Sequence, residues 1–185
     1  MSLPETLTLF VDPGEDTGWC VARGKLLLGA GTTKMWSFAD DVYDALAFQA
    51  DLQTYGSELI DPNAGWVLPG MEEHVTRKIG AIVCEDWRLY PWKLKSLGWD
   101  QCRTARLIGA LTLCTRVFQL DWTLQPAAIK EEAVRCGAEE FFYRPLHENR
   151  HANDAIMHHS YHLAFGPDGS GVTPNDVSNL ERDST

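Results

Sequence analysis

Three acids in this 185-residue chain stand where secondary-structure propensity alone would not put them. Asp12 ends a half-buried strand pattern, Glu85 ends an apolar one, and Asp154 lies inside an amphipathic helical pattern. Carboxylates are rarely withdrawn from water unpaired, because desolvation disfavours the charged form. If the two strands are neighbours and the helix packs across their ends, the three converge, and their repulsion calls for a divalent cation. Hard oxygen ligands that leave waters in place suit Mg²⁺, with Mn²⁺ as a substitute. His151 precedes Asp154 by three residues, about 60° around a helix, so both side chains address one point. It is a candidate fourth ligand or a proton carrier. Two ions roughly 4 Å apart would activate water and stabilise the leaving oxygen of a phosphodiester, with no covalent enzyme intermediate.

Each residue taken singly also has a plainer role. Asp12-Pro13-Gly14 suits a simple turn, Glu85 suits an ion pair with Arg88 or Arg106, and Asp154 suits the positive end of a helix capped by Asn149 or Asn153. His151 alone suits the surface. Only their conjunction points to chemistry. His147 and His151, with His158, His159 and His162 beyond them, invite a zinc reading, but no cysteine pair accompanies them. His158 is one turn past Asp154, within reach of the site, but reads first as solvated.

The elements that must position these residues follow from periodicity. Leu7 to Asp12 alternates Leu7, Leu9 and Val11 with Thr8, Phe10 and Asp12, as a strand does. A turn at Pro13-Gly14, with glycine free to take positive φ, leads to a second strand, Thr17 to Ala22, and Arg23-Gly24-Lys25 leads to a third, Leu26 to about Met35. A helix is expected from a Ser37 cap to about Tyr55, with Phe38, Val42, Ala45, Leu46 and Leu52 inward. Gly56 to Gly70 reads as a loop, and Ile79 to Glu85 as a buried central strand. Cys102 to Phe118 is helical, with Ala105, Ile108, Leu111, Leu113 and Val117 as core candidates, and Asp121 to Leu124 is a short strand. Pro126 should start a helix running to about Cys136 with Gly137 after it, and a last helix should run from near Asn149 to about Phe165. The order βββαβαβα implies an α/β fold, a mixed central sheet with helices on both faces.

Composition sets the outer limits. A chain of this length suits one domain that buries roughly 70% of its unfolded surface, taken as residues 1–165, with 166–185, rich in Gly, Pro, Ser, Asn and Asp, as a flexible tail. The apolar runs are too short for a membrane span and the start is unlike a signal peptide, so a cytoplasmic protein with no membrane partner is expected. Five cysteines, Cys20, Cys84, Cys102, Cys114 and Cys136, form no CxxC pair and read as inert thiols. The net charge of −10 opposes nucleic-acid binding until its distribution is considered. Between Met35 and Thr76 lie eight acids and no Lys or Arg, whereas Arg88, Lys93, Lys95, Arg103 and Arg106 face only Asp100. Trp87, Tyr90, Trp92 and Trp99 interleave with that basic run, as where bases stack and phosphates meet cations, although a tryptophan-rich core edge would look alike. Lys130 could reach phosphate too, with Glu131 and Glu132 beside it favouring a surface role equally.

Taken together, the chain resembles the RuvC-type Holliday junction resolvases of the ribonuclease H-like superfamily, in a divergent, bacteriophage-like form. The resemblance rests on Asp12-Pro13-Gly14 followed by Thr17-Gly18, on Glu85 ending an apolar strand, on Pro126 followed by Lys130, and on His151-Ala152-Asn153-Asp154-Ala155 opening the last helix. It spans about Leu7 to Phe165. It implies a ribonuclease H-like fold, a homodimer, and two Mg²⁺ held by Asp12, Glu85, His151 and Asp154. It also implies symmetric nicking of two opposing strands of a four-way DNA junction in recombination and repair, in the host cytoplasm if the chain is phage-encoded. The DNA-contacting residues expected are Arg88, Tyr90, Trp92, Lys93, Lys95, Arg103, Arg106 and Lys130. Three departures stand out. One residue fewer separates Pro-Gly from Thr-Gly, Arg88 stands where the family often has an aromatic residue, and the stretch after Lys130 is acidic.

Two nearby alternatives are a broader branched-DNA or flap nuclease and a catalytically silent DNA-binding scaffold. A nucleotide-binding module of the actin and sugar-kinase type also opens with a strand ending in Asp, Gly and Thr. Such proteins need a second domain and a second Asp-Gly-Thr element, which this chain lacks, so no nucleotide cofactor is expected.

Overall fold

The computed structural model describes residues 6–55, 78–87, 102–135 and 149–166. Alternating side chains along Leu7–Asp12 (β1) send Leu7, Leu9 and Val11 into one apolar cluster and Phe10 into another. Asp16–Arg23 (β2) splits the same way, Trp19 and Val21 against Cys20 and Ala22. Leu26–Lys34 (β3) completes an antiparallel ribbon with them. The chain continues into Met35–Tyr55 (α1), then Ile79–Asp86 (β4), Arg103–Val117 (α2), Asp121–Pro126 (β5), Ile129–Arg135 (α3) and Arg150–Phe165 (α4). Sheet order is β3-β2-β1-β4-β5, with β4 parallel to both β1 and β5. Parallel neighbours need crossovers, and α1 and α2 precede β4 and β5 in that role.

Helices cover both faces of this mixed sheet, as expected. Phe38, Val42 and Leu46 of α1 and Leu107 and Leu111 of α2 join Leu9, Val11, Val21, Ile82 and Cys84 in the larger cluster. Each such fully buried side chain contributes roughly 1.5–3 kcal/mol through the apolar surface it removes from water. On the other face Ala155 and Ile156 of α4 pack on Phe10, Cys20, Ala22 and Val83. Cys20, Cys84 and Cys114 are buried and unbridged, and burial pushes all three thiols up, so they are inert. Among the described residues no helix is long and apolar enough to cross a membrane.

Several local expectations need correction. Helix α1 starts at Met35 rather than after Ser37, because Met35 is buried and its N–H donates to the Glu15 carbonyl at 3.0 Å, turning β3 directly into helix. In α2 the inward stripe is Leu107, Leu111 and Cys114, while Leu113 and Val117 are 63% and 58% exposed. That helix is apolar on more than one side, so two stripes competed. Pro126 ends β5, paired with Asp86, and the helix begins at Ile129. A proline is tolerated there because β5 is an edge strand. Gly14 does not use positive φ, whereas Gly24 does, at 56°. The expected loop at Gly56 to Gly70, the end of the Pro126 helix and the 166–185 tail beyond Gly166 lie outside the described residues.

Candidate metal centre

Two strand ends and one helix build the site. Because β1 and β4 run parallel with Val11 opposite Cys84, Asp12 and Glu85 follow side by side at their C-terminal ends. Both continue the parity of Phe10 and Val83, which face α4. Asp12 also pairs with Gly18 of β2, and there the first turn of α4 comes down on the sheet. A Cβ on Gly18 would lie 1.9 Å from the His151 carbonyl oxygen, so only glycine admits the helix backbone at this distance. Asn149 caps α4, its side chain accepting from the His151 N–H at 2.9 Å, and the Thr17 hydroxyl donates to the Gly14 carbonyl at 2.9 Å. Asp12 is thus a buried strand-end acid rather than a turn residue.

The carboxylates meet around a lysine. Lys130 Nζ lies 3.1 Å from Asp12 Oδ1, 2.7 Å from Glu85 Oε2 and 3.0 Å from Asp154 Oδ2. His151 Nδ1 is 3.0 Å from Asp12 Oδ2. Asp12, His151 and Asp154 each offer one ligand atom, all within 4.8 Å of one another. Burial pulls the Lys130 ammonium down, but its bonds to Glu85 and the charge of Asp12 outweigh that and hold it protonated, above its ordinary value. Burial likewise pushes Glu85 up, yet hydrogen bonds from His158 and Lys130 prevail and bring it down to about 2. Asp12 stays raised: burial dominates, and Glu85 opposes the relief supplied by Lys130 and His151.

One ammonium meets three clustered carboxylates, which leaves an excess of negative charge there, while burial is what chiefly holds Asp12 raised. Lys130 marks where positive charge is wanted, and the oxygen-rich donor set with one imidazole suits Mg²⁺ or Mn²⁺.

Of the four expected ligands, the structure brings Asp12, His151 and Asp154 within reach of one point, and Glu85 meets the cluster at Lys130. Lys130, expected at phosphate, sits at their centre. Arg103 pairs with Glu15, and Arg106 lies 4.9 Å over the Trp36 ring instead of reaching Glu85. Arg88, Tyr90, Trp92, Lys93 and Lys95 lie outside the described residues. Sequence reasoning missed Gln125 and favoured solvent for His158. His158, expected in solvent, is fully buried, with Nε2 3.1 Å from Glu85 Oε2 and Nδ1 2.9 Å from Gln125 Oε1. The available signal was spacing: His158 follows Asp154 by one helical turn, and Gln125 is paired with Glu85 in the sheet.

No family model matches the chain, and no curated protein sequence is significantly similar to it. Among solved structures it is similar to Thermus thermophilus RuvC. In complex with a Holliday junction substrate, that protein superposes with a TM-score of 0.52 at 11% identity, over 85% of this chain and 94% of RuvC. A second Thermus thermophilus RuvC structure gives 0.50 with the same identity and coverage. The chain therefore has the RuvC-like form of the ribonuclease H-like fold. Its sequence is a divergent example of that form.

Proposed function

We propose that this chain is a divalent-metal-dependent, structure-selective DNA endonuclease that resolves Holliday junctions by symmetric nicking. The observation that carries the reading is the convergence of Asp12, Glu85, Asp154 and His151 at one end of a RuvC-like sheet. These four residues hold one or two Mg²⁺. A bound Mg²⁺ supplies Lewis acidity at a phosphoryl oxygen and lowers the pKa of a bound water.

The chain's own groups supply the rest. Lys130 holds the carboxylates together, and its ammonium would also be a cation for a phosphate oxygen brought to the site. His151 is half exposed beside Asp12, where it serves as the fourth ligand or, in place of that, as a proton carrier at the mouth of the site. Arg88, Tyr90, Trp92, Lys93, Lys95, Arg103 and Arg106 contact the junction arms, and a homodimer presents two sites to two opposing strands. We infer a cytoplasmic site of action, in a bacterial host if the chain is phage-encoded. The pairing of Arg103 with Glu15 favours a second reading, a broader branched-DNA or flap nuclease with looser arm contacts.

Cleavage of four-way, three-way, flap and linear DNA in Mg²⁺ tests both. Preference for the four-way junction, with product ends that ligate, is expected. Equal cutting of all four would remove the resolvase reading, and an Asp154→Asn variant that still cuts would remove the site.

A further inference from the structure

His158 sits at 0% exposure on α4, between β4 and β5, with each ring nitrogen within hydrogen-bond distance of a different side chain. Glu85 Oε2 lies 2.7 Å from the Lys130 ammonium, which can only donate, so this oxygen is an acceptor. His158 Nε2 must therefore carry the proton that it donates to Glu85 Oε2. In a singly protonated ring Nδ1 is then the acceptor nitrogen, and the group beside it on Gln125 decides whether it is satisfied. As placed, Gln125 turns Oε1 toward Nδ1 and leaves its own Nε2 buried with no hydrogen-bond partner. Carbonyl oxygen and amide nitrogen are nearly indistinguishable by shape. Turning the amide over lets its NH₂ donate to Nδ1 and removes an orphaned donor, which is the costlier kind of unpaired group.

We propose that Gln125 and His158 form a directional hydrogen-bonded chain that positions Glu85: Gln125 Nε2–H donates to His158 Nδ1, and His158 Nε2–H donates to Glu85 Oε2. His158 is thus a positioning residue, acting through Glu85 on whatever cation the site binds. The bond fixes Oε2, which also meets Lys130, and leaves Oε1 as the oxygen to bind the ion. Three elements are locked by it: β5 through Gln125, α4 through His158 and β4 through Glu85. Groups that orient a metal's ligands in this manner typically change metal affinity roughly 10–100-fold when removed. The inference rests on the reading of Glu85 as a metal ligand.

Mn²⁺ titration of the full chain and three variants tests it. His158→Gln keeps an N–H near the Nε2 position, His158→Asn keeps a polar group only near Nδ1, and His158→Phe keeps volume alone. Mn²⁺ affinity should fall roughly 10–100-fold in the Asn and Phe variants and stay within a few-fold of wild type in the Gln variant. Thermal denaturation of each, read in parallel, separates loss of fold from loss of affinity, and ¹⁵N-detected NMR of the metal-free wild type should find the Nε2–H tautomer. A merely structural histidine would lower thermal stability in all three without ordering their affinities. If wild type binds Mn²⁺ and folded variants bind it equally well, or if NMR finds Nδ1–H, the positioning role is overturned while the metal reading stands. If folded wild type binds no Mn²⁺, the metal reading falls and takes this role with it.

Discussion

The two faces of the sheet carry different burdens. Against α1 and α2 the strands present Leu9, Val11, Val21, Ile82 and Cys84, and nearly everything they meet is apolar. Against α4 the same strands present Phe10, Cys20 and Val83, but also Asp12 and Glu85, and α4 answers with buried His158, His159 and Ser160. Because strand side chains alternate, one strand can serve both: Val11 packs while Asp12 joins the charged cluster, and Cys84 packs while Glu85 does the same. One face holds the protein together and the other spends part of that stability on clustered charge.

Substitutions on each face should separate these roles. The largest effect is expected from Asp154→Asn, which removes a ligand from the α4 face. Cleavage and Mn²⁺ binding should fall by more than about 100-fold, beyond the range seen for residues behind the ligands, with the melting temperature little changed. Leu9→Ala on the opposite face should do the reverse, lowering stability by about 2–5 kcal/mol in denaturant titrations while the folded fraction binds Mn²⁺ normally. Gly18→Ala tests the seam between them. Its Cβ meets the His151 carbonyl at 1.9 Å, so α4 must shift, and both stability, by about 1–3 kcal/mol, and metal affinity should drop.

Acid should act first through the α4 face. His159 is held down to about 4, chiefly by burial, although its bond to the Gly24 carbonyl works the other way. The unfolded chain therefore binds this proton more readily, and stability present above 6.5 is lost as pH falls toward about 4. Glu85, brought down to about 2, gives up its share only below 4.5. A His159→Gln variant, which keeps a donor but does not titrate, should lose less stability between those upper limits, as melting curves across pH would show. The smallest effect belongs to the exposed Glu15–Arg103 pair: Arg103→Ala should change stability by about 0.2–1 kcal/mol, less in high salt.

The sheet and two of the three acids were legible in the sequence because both rest on period-two alternation, which puts Asp12 with Phe10 and Glu85 with Val83. The Asn149 cap was legible for a local reason as well, since capping needs only a short polar side chain before the helix. Other features depend on what lies across space. Lys130 reads as a surface residue beside Glu131 and Glu132, and only the packing of α3 beside α4 carries it into the carboxylates. His158 reads as solvated until β5 supplies Gln125. The inward face of α2 was ambiguous because Leu113 and Val117 are as apolar as Leu107 and Leu111.

Anomalous diffraction from a crystal soaked in Mn²⁺ tests the central claim most directly. The account predicts one or two Mn²⁺ among Asp12, Glu85, Asp154 and His151, with the Lys130 ammonium drawn away from the carboxylates it now meets at 2.7–3.1 Å. Saturating Mn²⁺ that leaves Lys130 in place, with no anomalous peak among the acids, would contradict it.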